Sequence, residues 1–155
     1  MKKLALIALL GLTVLALAAC GAGQASEAVT EAATEAPELP VDLDLTQLSG
    51  TVVYSQVYDM MNEPDSYMGQ RIRMDGSFSY YKDEDTQQEY FAAIIADATA
   101  CCAQGIEFVW KGEHAYPEDY PPLDTDITVT GTFDTYYEGD YMYVQLVDAD
   151  VAWNE

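Results

Sequence analysis

Basic side chains are scarce in this sequence. Six Lys and Arg residues stand against 27 Asp and Glu residues, which gives a formal net charge of -21. Phosphate backbones and anionic lipid headgroups repel such a chain, so we do not expect the polypeptide to bind nucleic acid or a membrane surface. Cations and cationic partners are favoured by the same electric field.

Histidine is rarer still, and common catalytic motifs are missing. The sequence has one histidine, His114, and contains neither HExxH nor a glycine-rich phosphate loop. No Ser-His-Asp pattern stands in a recognisable context. General acid–base chemistry would therefore fall to carboxylates, or to His114 acting with Cys101 or Cys102. We expect a non-enzymatic protein without catalytic residues.

The long apolar run lies at the N-terminus. It spans Leu4–Ala19, directly after Lys2 and Lys3, and is shorter than the roughly 20 residues of a comfortable membrane-spanning helix. A short basic segment followed by such a run is typical of a signal peptide. The run ends in Leu17-Ala18-Ala19-Cys20, which resembles the lipobox of bacterial lipoproteins.

The lipobox resemblance implies that Cys20 is lipidated. In such proteins the thiol receives a diacylglycerol, residues equivalent to 1–19 are removed, and the cysteine becomes the first residue. Two or three acyl chains anchor a protein stably, whereas a single chain holds it weakly. The expected location is the outer face of the cell membrane. The alternative is an uncleaved hydrophobic anchor in which Cys20 is incidental.

Residues 20–49 are expected to form a disordered acidic linker. The stretch from Ala22 to Pro40 is rich in Ala, Thr, Ser and Glu. Glutamates recur about every four residues, but no large apolar face accompanies them, and like charges at that spacing repel each other. A self-repelling spacer is the better interpretation.

Residues 50–155 are long enough for one small domain. Val53 and Val57 recur at helical spacing with Met60 or Met61, and Pro64 follows that pattern, which predicts one short helix. The spacing of apolar residues then changes to two, which predicts β-strands. Residues 112–124 carry three prolines and form an irregular connection. The five expected strands span about 71–80, 90–97, 106–111, 127–133 and 141–151.

Two of the expected strands share a sequence pattern. Ile72–Phe78 aligns with Ile127–Phe133, and each segment contains a glycine, Gly76 or Gly131, at the same position. Glycine allows the sharp bend of a barrel corner. Five short strands with two such corners suit a small closed barrel. This arrangement resembles the OB-fold, a five-stranded barrel, and predicts a mainly β domain with an N-terminal helix.

A second resemblance concerns the segment Tyr90–Phe108. It is similar to part of uncharacterised extracytoplasmic lipoproteins from anaerobic Gram-positive bacteria. Paired cysteines near an aspartate also occur in the extracytoplasmic part of certain permease subunits, although in a different order. The resemblance implies no activity. A membrane permease or another envelope protein is a candidate partner.

The adjacent cysteines Cys101 and Cys102 allow three interpretations. They are buried thiols, a strained vicinal disulfide, or ligands of a soft metal such as zinc or copper(I). In the metal interpretation Asp97, Glu107 or His114 completes the shell. Adjacent cysteines on an extended chain point to opposite faces, so one ion can bind both only where the backbone turns.

Tyrosine is abundant, with twelve residues. Tyr136, Tyr137, Tyr141 and Tyr143 flank one predicted hairpin and form a candidate binding surface for a carbohydrate or a protein. The alternative is that tyrosine replaces phenylalanine at half-buried strand positions. The sequence thus favours a membrane-anchored, non-enzymatic binding or accessory domain. The first alternative function is a metal-handling lipoprotein that presents Cys101 and Cys102 to a permease or a metallochaperone. The second is a purely structural module that interacts with the cell envelope.

Overall fold

The computed structural model describes residues 39–97, 99 and 102–154. These form one helix, a short 3-10 turn at Pro64–Ser66 and a six-stranded sheet, so the domain is mainly β as expected. The predicted signal peptide, Cys20 and Cys101 lie outside the described residues. The elements are β1 (Leu43–Asp44), α1 (Gly50–Asn62), β2 (Arg71–Lys82), β3 (Glu89–Ala96), β4 (Ala103–Trp110), β5 (Asp126–Glu138) and β6 (Tyr141–Trp153).

The strand β1 corrects both the strand count and the expected domain boundary. Six strands are present rather than five, because Leu43 and Asp44 pair in parallel with β2. Leu45 follows them and is almost completely buried in the core. The folded region therefore begins before residue 50, and the end of the expected linker belongs to it. A two-residue strand is too short to produce an alternating pattern in the sequence.

The helix α1 is formed as its spacing predicts. Val53, Val57 and Met60 are its buried residues, and their positions i, i+4 and i+7 lie on one helical face. The helix ends at Asn62, two residues before Pro64. Proline disfavours helical geometry in the residue that precedes it, which explains the end of the helix. The buried face of α1 packs against β3, β4 and β6.

The strand pairings form a closed circuit. β2 pairs with β3, β3 with β4, β4 with β6, β6 with β5, and β5 again with β2. All of these pairings are antiparallel except β4 with β6, which is parallel. The side chains on one face of the strands enclose a single apolar core, with Phe78, Phe108 and Phe133 among its members.

The two similar segments of the sequence pair with each other. In the antiparallel pairing of β2 with β5, Ile72 lies opposite Gly131 and Ile127 lies opposite Gly76. Each isoleucine therefore faces the glycine of the other segment. The sequence similarity thus becomes a local two-fold relation between the two strands.

The two glycines permit close approach of a neighbouring strand. A Cβ atom on Gly131 would lie 2.9 Å from Cβ of Leu146, and one on Gly76 would lie 3.0 Å from Cβ of Ala93. Both separations are shorter than a normal contact between carbon atoms. The β5–β6 register also shifts at Gly131, between Thr130 and Thr132, as expected for a β-bulge.

The connection, residues 111–125, folds back onto the strands. Its Tyr120 ring stacks on Phe91 with a centroid distance of 4.2 Å, and its Tyr116 ring stacks on Tyr80 at 3.8 Å. These contacts lie at the start of β3, whereas Ile95 lies beside the α1 region near the end of that strand. The connection and α1 therefore cover opposite ends of β3.

Among the described residues, no helix is long and apolar enough to span a membrane.

Candidate functional site: a cleft between β3 and β4

The strands β3 and β4 separate at one end. Their pairing joins Ala92–Ala96 to Ala103–Glu107. The start of β3 remains paired with β2, and the end of β4 remains paired with β6. A cleft of about 550 Å³ opens where the strands part, which is within the size range of small-molecule sites. It is lined by Gln88, Glu89, Tyr90, Phe91, Glu107, Phe108, Val109, Trp110, Gly112, His114, Tyr120, Tyr136, Tyr137, Glu138 and Gln145.

Aromatic rings form much of the cleft wall. Tyr120 from the connection stacks on Phe91, and it meets Trp110 edge-on at 5.1 Å between ring centroids. His114 stacks on Trp110 at 3.7 Å with nearly parallel planes. The edge-on contact between Tyr120 and Trp110 is a favourable aromatic geometry, and the two stacked contacts bring ring faces together. They hold the wall in place without using the polar groups of the cleft.

A half-buried carboxylate lies where the two strands part. The hydroxyl of Tyr136 donates a hydrogen bond of 2.6 Å to Oε2 of Glu107. Burial raises the pKa of Glu107, while this hydrogen bond opposes the rise and the negative charge of Glu138 adds to it. The carboxylate is thus held in a site that partly removes it from water and supplies one donor.

A second tyrosine–glutamate pair adjoins the first. The hydroxyl of Tyr90 donates a hydrogen bond to Oε1 of Glu138, which raises the pKa of Tyr90 to about 12, with burial as the next cause. Burial, followed by the bond to Glu107, also raises the pKa of Tyr136. Both tyrosines therefore remain protonated donors at neutral pH. We call Tyr136–Glu107 and Tyr90–Glu138 the Tyr–Glu pairs.

The Tyr–Glu pairs separate the cleft from a second recess. This recess measures about 360 Å³ and shares all four residues of the pairs with the cleft. Its other lining residues are Ser79, Tyr81, Asp83, Ala92 and Tyr143. The pairs are therefore accessible from two sides, and both sides are rich in tyrosine.

The cleft has an excess of negative charge. Among the described residues, the ion pairs are Arg71–Asp150, Arg73–Asp44 and Lys82–Glu89. Neither carboxylate of the Tyr–Glu pairs takes part in them. Glu89 has a cation 3.3 Å away and also accepts a hydrogen bond from Tyr80, and that bond is the main reason for its lowered pKa.

The four tyrosines predicted to form a binding surface are placed differently. Tyr136 belongs to a Tyr–Glu pair and stacks on Tyr143 at 5.3 Å. Tyr137 lines the cleft and is 69% exposed, and Tyr143 lines the second recess. Tyr141 is 73% exposed and lines neither cavity.

The sequence analysis missed Tyr90, Trp110 and Glu138 as site residues. Tyr90 and Trp110 were interpreted only as strand residues, and Glu138 only as part of a turn. The Tyr90–Glu138 hydrogen bond joins residues 48 positions apart. No local pattern signals such a contact, because it depends on the β5–β6 hairpin reaching β3.

The described metal-ligand candidates are spread along β4 rather than gathered. The backbone N–H of Asp97 donates to the carbonyl of Cys102, so these two residues are paired just before β4. Glu107 is five residues further along, roughly 16 Å at the rise of a β-strand. His114 follows the other end of β4, and its Nε2 lies 3.0 Å from the carbonyl oxygen of Lys111. No three His, Cys, Asp or Glu residues in the described part of the chain are arranged to hold a metal ion.

Comparison with known proteins gives no family for this chain. No protein-family model matches it, and no curated protein matches it either. The function proposed below therefore rests on the residues and their geometry.

Proposed function

We propose that this chain is a lipid-anchored extracytoplasmic protein whose folded part is a non-enzymatic binding domain. The cleft between β3 and β4 is its ligand site. The single observation that carries the proposal is the cleft itself, in which aromatic rings line the same cavity as two carboxylates that accept hydrogen bonds from tyrosine hydroxyls. A concave, mostly apolar pocket with a few converging polar groups is the usual form of a small-molecule site.

The proposed architecture is an OB-like barrel built from β2 to β6. The closed circuit of pairings among these five strands supports it, as do the glycine at the β5–β6 bulge and the glycine that faces β3. In this assignment β3 and β4 are the second and third barrel strands. OB-folds bind ligands on the face of those two strands and on the neighbouring loops, which is where the cleft lies.

A binding role is better supported than catalysis. The described lining residues include no serine or cysteine, and the ring of His114 is stacked on Trp110. A hydroxyl or thiol nucleophile activated by that histidine would need both groups within hydrogen-bond reach. The tyrosines of the Tyr–Glu pairs keep their protons at neutral pH and so act as fixed donors.

The membrane attachment is proposed from the lipobox at residues 17–20. The net charge of -21 supports a polypeptide that stands off an anionic membrane while acyl chains on Cys20 hold it there. A permease or another envelope protein is the proposed neighbour, because anchoring restricts the domain to partners at the same surface.

Acylation tests the anchoring half of the proposal. The full chain and its Cys20→Ser variant are expressed in a Gram-positive host with radiolabelled palmitate. The full chain is expected to incorporate label and to fractionate with membranes, and the variant is expected to incorporate none. Recovery of unlabelled wild-type protein from the cytosol with Met1 still attached would contradict the anchoring.

Ligand screening tests the binding half. NMR spectra of the isotope-labelled protein are recorded with a fragment collection that contains neutral sugars, organic anions and organic cations. Backbone shifts are expected to cluster at Tyr90, Glu107 and Trp110 for at least one chemical class. The absence of any clustered response, across all three classes, would contradict a small-molecule binding role for the cleft.

A further inference from the structure

We infer that the cleft binds an organic cation, with an alkylammonium group placed against Glu107 and the aromatic wall. This inference rests on the proposed binding function and specifies the chemical class of its ligand. It follows from the size and lining of the cavity, from the electrostatic state of its carboxylates, and from the poor fit of other ligand classes.

The first step is the state of Glu107. Its carboxylate is half-buried, and within the described part of the chain it has one hydrogen-bond donor, Tyr136, and no ion-pair partner. Partly removing a carboxylate from water is costly unless a cation or several donors compensate. A neutral tyrosine hydroxyl supplies only part of that compensation. A bound ammonium group would supply the missing positive charge.

The second step is the composition of the wall. Phe91, Trp110, Tyr120 and Tyr137 line the same cleft as Glu107. Alkylammonium groups are attracted to aromatic faces by the ring quadrupole. His114 covers one face of Trp110, whereas the ring of Tyr137 is 69% exposed. Aromatic rings beside a carboxylate therefore suit both parts of such a ligand, its charge and its apolar substituents.

Other ligand classes fit less well. Glu89, Glu107 and Glu138 line the cleft and repel a phosphate or a carboxylate ligand. A neutral sugar can stack on the rings but leaves Glu107 without a counter-charge. A bare metal ion needs several converging ligands, and the described His, Cys, Asp and Glu residues provide no group of three.

The test uses a pair of probes with the same shape and different charge. Choline carries a quaternary ammonium group, and 3,3-dimethyl-1-butanol is its neutral carbon analogue. Both are titrated into the full chain at about 0.15 M salt, where attraction between distant surface charges is largely screened. Heat of binding and the intrinsic fluorescence of the two tryptophans, Trp110 and Trp153, are recorded, and spermidine is titrated as a primary-amine probe.

The variants Glu107→Gln and Asp65→Asn remove the same unit of charge at different places. Glu107 lines the cleft, whereas Asp65 is exposed in the turn after α1 and lines no described cavity. We expect saturable binding of at least one cationic probe and none of the alcohol. We expect Glu107→Gln to weaken cation binding roughly tenfold or more, as expected when one partner of a desolvated charge pair is removed. Asp65→Asn is expected to change it less than about twofold.

The outcomes separate the two levels of the proposal. Equal binding of the alcohol, equal loss in both variants, or no saturable binding of either cation would overturn the cation assignment. If a sugar or an anion then perturbs the cleft in the NMR screen, the binding function stands without its cationic ligand. If no class perturbs the cleft, the binding function itself fails.

Discussion

The connection and the β5–β6 hairpin both contribute tyrosines to the cleft region, but they use different ends of the side chain. Tyr116 and Tyr120 of the connection stack their rings on Tyr80 and Phe91, respectively. Tyr136 of the hairpin instead directs its hydroxyl to a carboxylate. The connection uses tyrosine rings for apolar packing, and the hairpin uses a tyrosine hydroxyl as a hydrogen-bond donor.

The difference teaches that the number of tyrosines is a poor guide to a binding surface. Tyrosine suits either a binding surface or half-buried packing, and the structure shows the packing role in the connection, where Tyr116 and Tyr120 lie against the core. The connection follows the packing interpretation. The hairpin combines a site residue, Tyr136, with a strongly exposed one, Tyr141.

The largest expected effect comes from removing a ring of the connection. Tyr120→Ala deletes contacts with Phe78, Phe91 and Trp110 and is expected to lower the free energy of unfolding by about 3 kcal/mol, as for other large aromatic truncations. Urea denaturation measures the loss. Tyr120→Phe keeps the ring and is expected to retain most of the stability. Equal losses in the two variants would show that the hydroxyl matters more than the ring.

A smaller effect is expected from removing a hydroxyl of the hairpin. Tyr136→Phe leaves the half-buried carboxylate of Glu107 without its described donor, which is expected to cost roughly 1–2 kcal/mol, as for hydrogen bonds to charged groups. The same substitution in a Glu107→Gln background should cost less, because the charge is gone. Denaturation of the four proteins gives the coupling between the two side chains, and a coupling of zero would contradict the geometry.

The Glu107→Gln variant alone tests the pH dependence. Burial raises the pKa of Glu107 in the folded protein, so the folded state binds this proton more tightly than the unfolded state does. The contribution of Glu107 to wild-type stability should therefore fall as pH rises from its unfolded pKa through its raised folded pKa. Glutamine removes that loss, so the variant should gain stability relative to wild type between about pH 4 and 7. Unfolding curves of both proteins at about pH 4 and pH 7 measure this difference in stability. A loss of stability in the variant relative to wild type would contradict the predicted direction.

The smallest effect on stability is expected at the exposed tyrosines of the hairpin. Tyr137→Ala and Tyr141→Ala remove rings that are 69% and 73% exposed, and each should change the unfolding free energy by less than about 0.5 kcal/mol. Their effects on ligand binding should differ, because Tyr137 lines the cleft and Tyr141 does not. Calorimetric titration with choline compares them. If both substitutions weakened choline binding equally, the distinction between the cleft and the outer face of the hairpin would be contradicted.

The regular elements were predictable because their signals are local. The helical spacing of Val53 and Val57 with Met60 or Met61 predicted α1. Alternation, an apolar run and turn signals predicted β2 to β6 to within three residues at each end, except that β5 continues five residues beyond the predicted end at Phe133. The prolines correctly predicted an irregular connection. The strand β1 was missed because Leu43 and Asp44 form a strand only by pairing with β2.

The candidate site was predictable only in fragments. Tyr136 and Glu107 were singled out from the sequence for different reasons, one as a binding tyrosine and the other as a metal ligand. The structure joins them in one hydrogen bond. The structure separates Glu107 and His114 from Asp97 and Cys102, because the strand β4 extends away from Cys102.

The sequence by itself determined the acidic charge, the lipobox resemblance, the helix and the order of the main strands, because each is written in composition or in short-range periodicity. Tertiary structure alone decided that the two glycine-containing segments pair with each other, that β3 and β4 part to open a cleft, and that Tyr90 meets Glu138. Those contacts join distant parts of the chain. They depend on how strands close and where they separate, and no short window of residues carries that information.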